Sequence, residues 1–233
     1  MANRPGGALA TRPLQFIFIA DCSGSMAGKK IESLNNAIRE AIPAMRDVAD
    51  ENPNAQVLMR AIRFSDGAQW HVAQPTEAKD FNWPDLLADG VTDMGKALEI
   101  VADALKMENM PPRGLPPVLV LVSDGQPTDD FTGGLAKLMA QPWGVKAVRI
   151  AIGIGDDVDM TILQKFIGNP EIKALHAGNS RDLAKKIKWA STVPLKAASN
   201  PASRTAEQGD PAGNVPIPAP PEPVNPVSVD DVF

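Results

Sequence analysis

The stretch "LQFIFIADCSGSMAG", positions 14–28, constrains this chain more than any other. From Leu14 to Ala20 every residue but Gln15 is apolar, so a strand built from it has no face that suits water. Such a strand belongs inside a parallel sheet covered on both sides. It ends in Asp21, and Ser23 and Ser25 follow among small residues. A buried strand that delivers hard oxygen donors to its carboxyl end predicts a site at that edge of the sheet.

The rest of the pattern supplies the sheet. "IESLNNAIREAIPAMRDVADEN" has helical spacing, with Pro43 as a point of kinking. "AQVLMRAIRFSD" and "AQWHVA", separated by an Asp-Gly turn, predict an antiparallel hairpin. A polar loop from Gln74 to Gly90 leads to a helix over 93–107, with Thr92 as its N-cap. "PPVLVLVSD" and "KAVRIAIGI" are further buried strands, and "IKALHA" is a short last one; helices over "DVDMTILQKFIG" and "SRDLAKKIKWAST" alternate with them. The fold class predicted is α/β: a doubly wound, mostly parallel open sheet with one antiparallel edge strand and helices on both faces.

Three regions follow: a loose lead-in at 1–13, one domain at 14–193, and a Pro-rich tail at 194–233. The tail lacks the long aliphatics that offset ordering entropy, so disorder is expected, with a polyproline-like section at 216–226. Its end, "VSVDDVF", reads as a frayed terminus or as a short docking segment.

The net charge of -5 without a basic stripe argues against a nucleic-acid partner. The first apolar run is too short to span a bilayer, and no membrane contact is expected. Cys22 is the only cysteine, which excludes an intrachain disulfide and a cysteine zinc site and fits the cytoplasm. Alternation turns Cys22 away from Asp21 and Ser23, as a small buried residue. His71 and His176 have no partner at ligand spacing, and "GIGDD" lacks the further glycine and lysine of a phosphate loop.

Three polar clusters fall at the carboxyl edge of such a sheet: Asp21, Ser23 and Ser25 after the first strand, Thr92 at a helix start, and Asp124 after "LVLVS". Two carboxylates and three hydroxyls, without Cys or His, suit Mg2+ or Mn2+ with water in the remaining positions. An open position on such an ion takes an acidic group from a partner. For the first cluster alone, a helix-capping turn is the plainer explanation; three clusters in register argue against it.

The D-x-S-x-S of "DCSGS", the Thr at the following helix start and the Asp of "LVLVSDG" together resemble the metal-ion-dependent adhesion site (MIDAS) of von Willebrand factor A domains, over about residues 14–190. "LVSDGQPTDDF" and "AIGIGDDVD" resemble the bacterial TerY-like branch, associated with tellurite resistance and stress response. The resemblance implies a Rossmann-like fold, metal ligands at Asp21, Ser23, Ser25, Thr92 and Asp124, no catalytic residues, and as partners a Ser/Thr kinase and a metal-dependent phosphatase.

Asp129 and Asp130 read as caps of the helix that follows them, or as part of a rim that a partner reads together with Asp93 and Phe131. Trp83, in the loop "FNWPDLL", is placed with that partner surface, and Trp70, Trp143 and Trp189 with the core or its margin. Two rival functions stay open. A phosphatase of the haloacid dehalogenase type would use Asp21 as nucleophile, but Ser23 stands where such enzymes resemble D-x-D, and no lysine candidate is evident. A scaffold that recruits through its tail would need no metal.

Overall fold

The computed structural model describes residues 11–52, 55–199, 216–226 and 232–233. The apolar run forms β1 (Arg12–Asp21), buried without interruption from Leu14 to Asp21. Its parallel neighbours are β2 (Ala55–Ser65) and β4 (Val118–Ser123). With β3 (Gly67–Glu77), β5 (Val148–Ile154) and β6 (Leu175–Ala177) they make a sheet of order β3-β2-β1-β4-β5-β6. Only β3 is antiparallel, paired to β2 through the turn at Asp66 and Gly67, where Gly67 takes a φ of 79°. As an edge strand β3 accommodates Pro75, whose missing N–H faces no partner strand, and it runs on through the first residues expected to be loop.

Helices cover both faces. Phe16 and Phe18 of β1 point to one apolar cluster with α1 (Lys29–Asp50) and α6 (Ser180–Ser199). Ile17 and Ile19 point to a second, with α2 (Met94–Ala104), α3 (Phe131–Met139), α4 (Pro142–Lys146) and α5 (Met160–Ile167). The period-2 alternation of a strand thus feeds two cores at once. Each fully buried side chain of this size contributes roughly 1.5–3 kcal/mol. α4 begins at Pro142, which suits a first helical turn, and was not foreseen from the pattern.

One boundary differs from expectation. α1 contains Pro43 within its length, and α6 does not stop before Pro194 but continues to Ser199. Proline inside a helix costs about 3 kcal/mol. Past Pro194, Leu195 and Ala198 are completely buried in the α1 and α6 core, and that burial sustains the extra turn. The tail also departs from disorder in part: Ile217 and Phe233 pack against the same core. Residues 200–215 and 227–231 of the expected tail, most of the lead-in, and most of "VSVDDVF" lie outside the described residues. Among the described residues no helix is long and apolar enough to cross a membrane.

α2 and α3 meet backbone to backbone. A Cβ on Gly134 would lie 2.3 Å from the Gly95 carbonyl oxygen. Gly134→Ala must push the two helices apart, a cost on the order of 1–3 kcal/mol. The expected result is a melting temperature lower by roughly 2–4 °C for each kcal/mol lost, read by circular dichroism.

Candidate metal centre

The strand order reverses direction between β1 and β4: the chain leaves β1 toward β2 on one side, and β4 toward β5 on the other. At such a switch point the crossovers diverge and leave a crevice beyond the carboxyl ends of the two strands. Asp21 and Asp124 sit at those ends.

Asp21 is fully buried. Its Oδ1 accepts the Ser23 backbone N–H at 2.8 Å, and its Oδ2 accepts the Ser123 hydroxyl at 2.5 Å. Burial nevertheless pushes its carboxyl above the ordinary range; the Ser123 and Ser23 hydrogen bonds pull the other way, and the negative charge of Asp124 adds to the rise. Ser23 is also buried, with its hydroxyl 3.0 Å from that of Ser25, and Ser25 donates to Asp124 Oδ1 at 2.7 Å. The second oxygen of Asp124 accepts from Lys30 Nζ at 2.5 Å. Thr92 closes the group: a Cβ on Gly125 would lie 3.5 Å from Thr92 Oγ1 and 3.8 Å from Ser25 Oγ. All five oxygen-bearing residues singled out from the sequence therefore gather at one place.

Backbone hydrogen bonds lock the three loops together. Gly24 N–H donates to Gly90 O at 2.9 Å, Asp89 N–H to Cys22 O at 2.8 Å, and Thr128 N–H to Thr92 O at 2.9 Å. Gly90 needs its glycine: its φ is 76°, and a Cβ there would lie 2.7 Å from the Asp66 carboxylate, which binds Val91 N–H.

Thr92 is not the cap of α2. Asp93 occupies that position without capping through its side chain, and the carboxylate of Asp129 reaches over from the next loop to accept Gly95 and Lys96 N–H, each at 2.8 Å. Asp129 thus caps the preceding helix, whereas Asp130 caps the following one by accepting from Gly133 N–H at 2.8 Å. The reason is spatial: the close contact of α2 with α3 brings the loop before α3 over the start of α2.

Three residues expected on a partner surface face inward. Trp83, Asp93 and Phe131 are 7%, 7% and 5% exposed. The Trp83 indole N–H donates to Asn35 Oδ1 at 2.9 Å, and His71, whose Nε2–H donates to the Pro84 carbonyl at 2.7 Å, packs edge-on against the indole. Asp93 accepts the Lys96 ammonium at 2.5 Å, which above all keeps its carboxyl below the usual range, and Gly67 N–H at 2.7 Å. These side chains brace the loops from within. The exposed apolar groups there are Leu87 and Val91 instead.

Lys30 and Ser123 went unrecognised in the sequence. Ser123 carried a signal, since it precedes Asp124 on a strand whose alternate residues face the same way as Asp21; Lys30 carried none. Cys22 is buried as expected, with its thiol directed to Phe64 O at 3.3 Å and held protonated by burial.

The donor set fits a hard divalent cation. Among the described residues no group of three or more His, Cys, Asp or Glu side chains gathers at ligand spacing. An ion here would rest on two carboxylates, three hydroxyls and water, which are oxygen donors throughout.

A model of the von Willebrand factor type A domain matches residues 16–188. Human inter-alpha-trypsin inhibitor heavy chain H6 is 27% identical over 166 residues, 64% of this chain but 12% of that protein, so the chain spans a small part of this relative's length. A von Willebrand factor type A structure from Catenulispora acidiphila superposes with a TM-score of 0.61 at 18% identity, over 79% of this chain and 43% of that one. Proximal thread matrix protein 1 from the mussel byssus, solved with zinc in its MIDAS motif, superposes with a TM-score of 0.55 at 18% identity, over 80% of this chain and 46% of that one. At such identities the two structures establish the fold.

Because the folded-state pKa of Asp21 is raised, its contribution to metal-free stability is complete below the ordinary carboxylate pKa and is lost as the pH rises through the folded value. Asp21→Asn keeps an acceptor for Ser23 N–H and offers a donor to Ser123. In EDTA it should melt higher than wild type at neutral pH, with a flatter dependence on pH through the acid range. Thermal scans across that range check this. A lower melting point at every pH would show that the two hydrogen bonds to the charged form outweigh its burial.

Proposed function

The chain belongs to the von Willebrand factor type A domain family, and from that premise we propose that it is a metal-dependent protein-binding module of MIDAS type. The family is in general one of protein-interaction modules. The observation that carries the proposal is the convergence of Asp21, Ser23, Ser25, Thr92 and Asp124 from three loops at the switch point of the sheet. These residues would hold the ion, with Mg2+ or Mn2+ favoured by an all-oxygen donor set. When bound, the ion supplies an electrophilic position for an aspartate or glutamate oxygen of the partner.

This chain's own residues do the rest. Ser123 and the Ser23 N–H orient the Asp21 carboxylate, and the locked loops keep the donors in place before any ion arrives. Lys30 offsets part of the negative charge at Asp124. A single carboxylate contact positions a partner but hardly discriminates among partners, so selectivity falls to the rim. There Leu87 is 80% exposed and Val91 46%, both in the loop that leads to Thr92. We assign the module to a bacterial stress-response or tellurite-resistance system of TerY-like type, acting in the cytoplasm with a Ser/Thr kinase and a metal-dependent phosphatase. The support for this finer assignment is the similarity of "LVSDGQPTDDF" and "AIGIGDDVD" to that branch.

Lys30, beside Asp124, supplies the lysine that favours a phosphatase as a second reading. Against it stands Ser23, whose buried hydroxyl is engaged with Ser25 and carries no proton that it gives up near neutral pH. With magnesium and p-nitrophenyl phosphate, the protein should show no turnover that Asp21→Asn abolishes; such turnover would make it an enzyme.

Affinity capture from the native host tests the main proposal. Wild type with magnesium should retain a kinase or phosphatase that is lost in EDTA and lost with Asp21→Asn plus Ser23→Ala. Leu87→Asp should weaken capture while leaving the melting temperature unchanged. Partners that stay bound without metal would overturn the proposal.

A further inference from the structure

A second surface, away from the oxygen-donor cluster, already has an occupant. Six of the eleven residues in 216–226, "PIPAPPEPVNP", are proline. This segment lies along the outer edge of the domain at β6 and the first turns of α6. Asn179 Nδ2 donates to the Val224 carbonyl at 2.8 Å, and Val224 N–H donates to Asp182 Oδ1 at 3.1 Å. Lys185 Nζ donates to the Glu222 carbonyl at 3.0 Å. Three hydrogen bonds therefore read the main chain on either side of Pro223, and none of them depends on a tail side chain.

The reading groups are held ready by the domain. Asn179 caps α6, with its Oδ1 accepting Asp182 N–H at 2.9 Å, so its amide is oriented with Nδ2 outward. The other oxygen of Asp182 pairs with Lys186, and both side chains are almost wholly buried. Lys186 also donates to the His176 carbonyl, which ties α6 to β6. This is a fixed donor and a fixed acceptor spaced for the C=O and N–H of one extended residue, the arrangement by which domains recognise peptides through their backbone. A proline-rich ligand suits it, because its conformation is largely set before binding and little ordering entropy is lost.

A cavity of about 510 Å³ remains between the prolines of the segment and a wall that includes Leu175 and His176. Ile217 packs against the core at one end of this stretch, and around Pro223 the hydrogen bonds are to its main chain. Beyond it, Val232 bridges to Asn179, and Phe233 N–H donates to the Gly178 carbonyl at 3.3 Å.

We propose that the edge formed by β6, Gly178, Asn179 and the start of α6 is a recognition site for extended proline-rich peptides, and that residues 216–226 are its intramolecular ligand. A partner carrying a proline flanked by residues with a free N–H and C=O competes for the same groups. This proposal does not rest on the metal centre, which uses none of these side chains.

Fluorescence anisotropy tests it, with a labelled peptide PIPAPPEPVNP and the full chain. The tethered copy has a high effective concentration and should keep the peptide out of wild type. Val224→Pro removes the N–H that Asp182 accepts and loosens the tethered copy, while leaving the groove intact. The labelled peptide should bind this variant roughly ten-fold or more tightly than wild type. Adding Asn179→Asp, which still accepts Asp182 N–H but cannot donate to the peptide carbonyl, should abolish the gain. A peptide with proline in place of the valine should not bind. Melting curves confirm that the variants fold. Absence of binding to Val224→Pro, or a gain that survives Asn179→Asp, overturns the site; equal affinity of wild type and Val224→Pro overturns its occupancy by the tail.

Discussion

A carboxylate with no exposed surface sits at the end of a strand buried from Leu14 onward, and the carboxyl edge of this domain is organised around it. A charge taken out of water is costly unless its oxygens find donors. Asp21 finds one in the backbone N–H two residues on and one in the Ser123 hydroxyl of the adjacent strand, and even so its carboxyl titrates high. The parallel pairing of β1 with β4 makes the second contact possible, because Ala20 faces Val122 and the next residues are Asp21 and Ser123. The tension between burial and charge is what a cation would relieve.

The same economy of loops extends outward from Asp21. The turn after β1 is bonded to the loop before α2, and that loop to the one after β4. Asp129 belongs to the third loop yet caps the helix that begins in the second. A helix start is electropositive, so this carboxylate both satisfies orphan N–H groups and balances the dipole. The outcome is a rigid rim: oxygen donors face the crevice, while Trp83, Asp93 and Phe131 support it from behind.

The last residue of the chain lies near the lysine of the donor cluster. A Cβ placed on Gly155 would contact the Lys30 side chain and, at 3.9 Å, Phe233, and the same Lys30 rests on Asp124. Asn179 in turn serves the tail twice, through Val224 and through Val232. Gly155 thus has on one side the Lys30 that reaches Asp124 and on the other Phe233.

The sheet and its oxygen donors were legible in the residue pattern. A run such as "LQFIFIA" or "VLVLVSD" has few ways to hide both faces, and a strand buried in a parallel sheet must present its terminal polar residues at the carboxyl edge. That reasoning is local, with a period of two or 3.6 residues, and it located Asp21, Ser23, Ser25, Thr92 and Asp124. Contacts between distant residues were beyond it. Lys30 meets Asp124 across 94 positions, Ser123 meets Asp21 across 102, and Asp129 caps a helix 34 positions earlier. The tail looked free because its composition cannot build a core of its own, yet its described residues Ile217, Val224 and Phe233 lie on a core already built, where the cost of ordering is offset by groups that other residues hold in place. Sequence determined which groups arrive at the edge; tertiary structure alone decided which of them face the crevice, because that choice rests on long-range packing with no periodic signature in the chain.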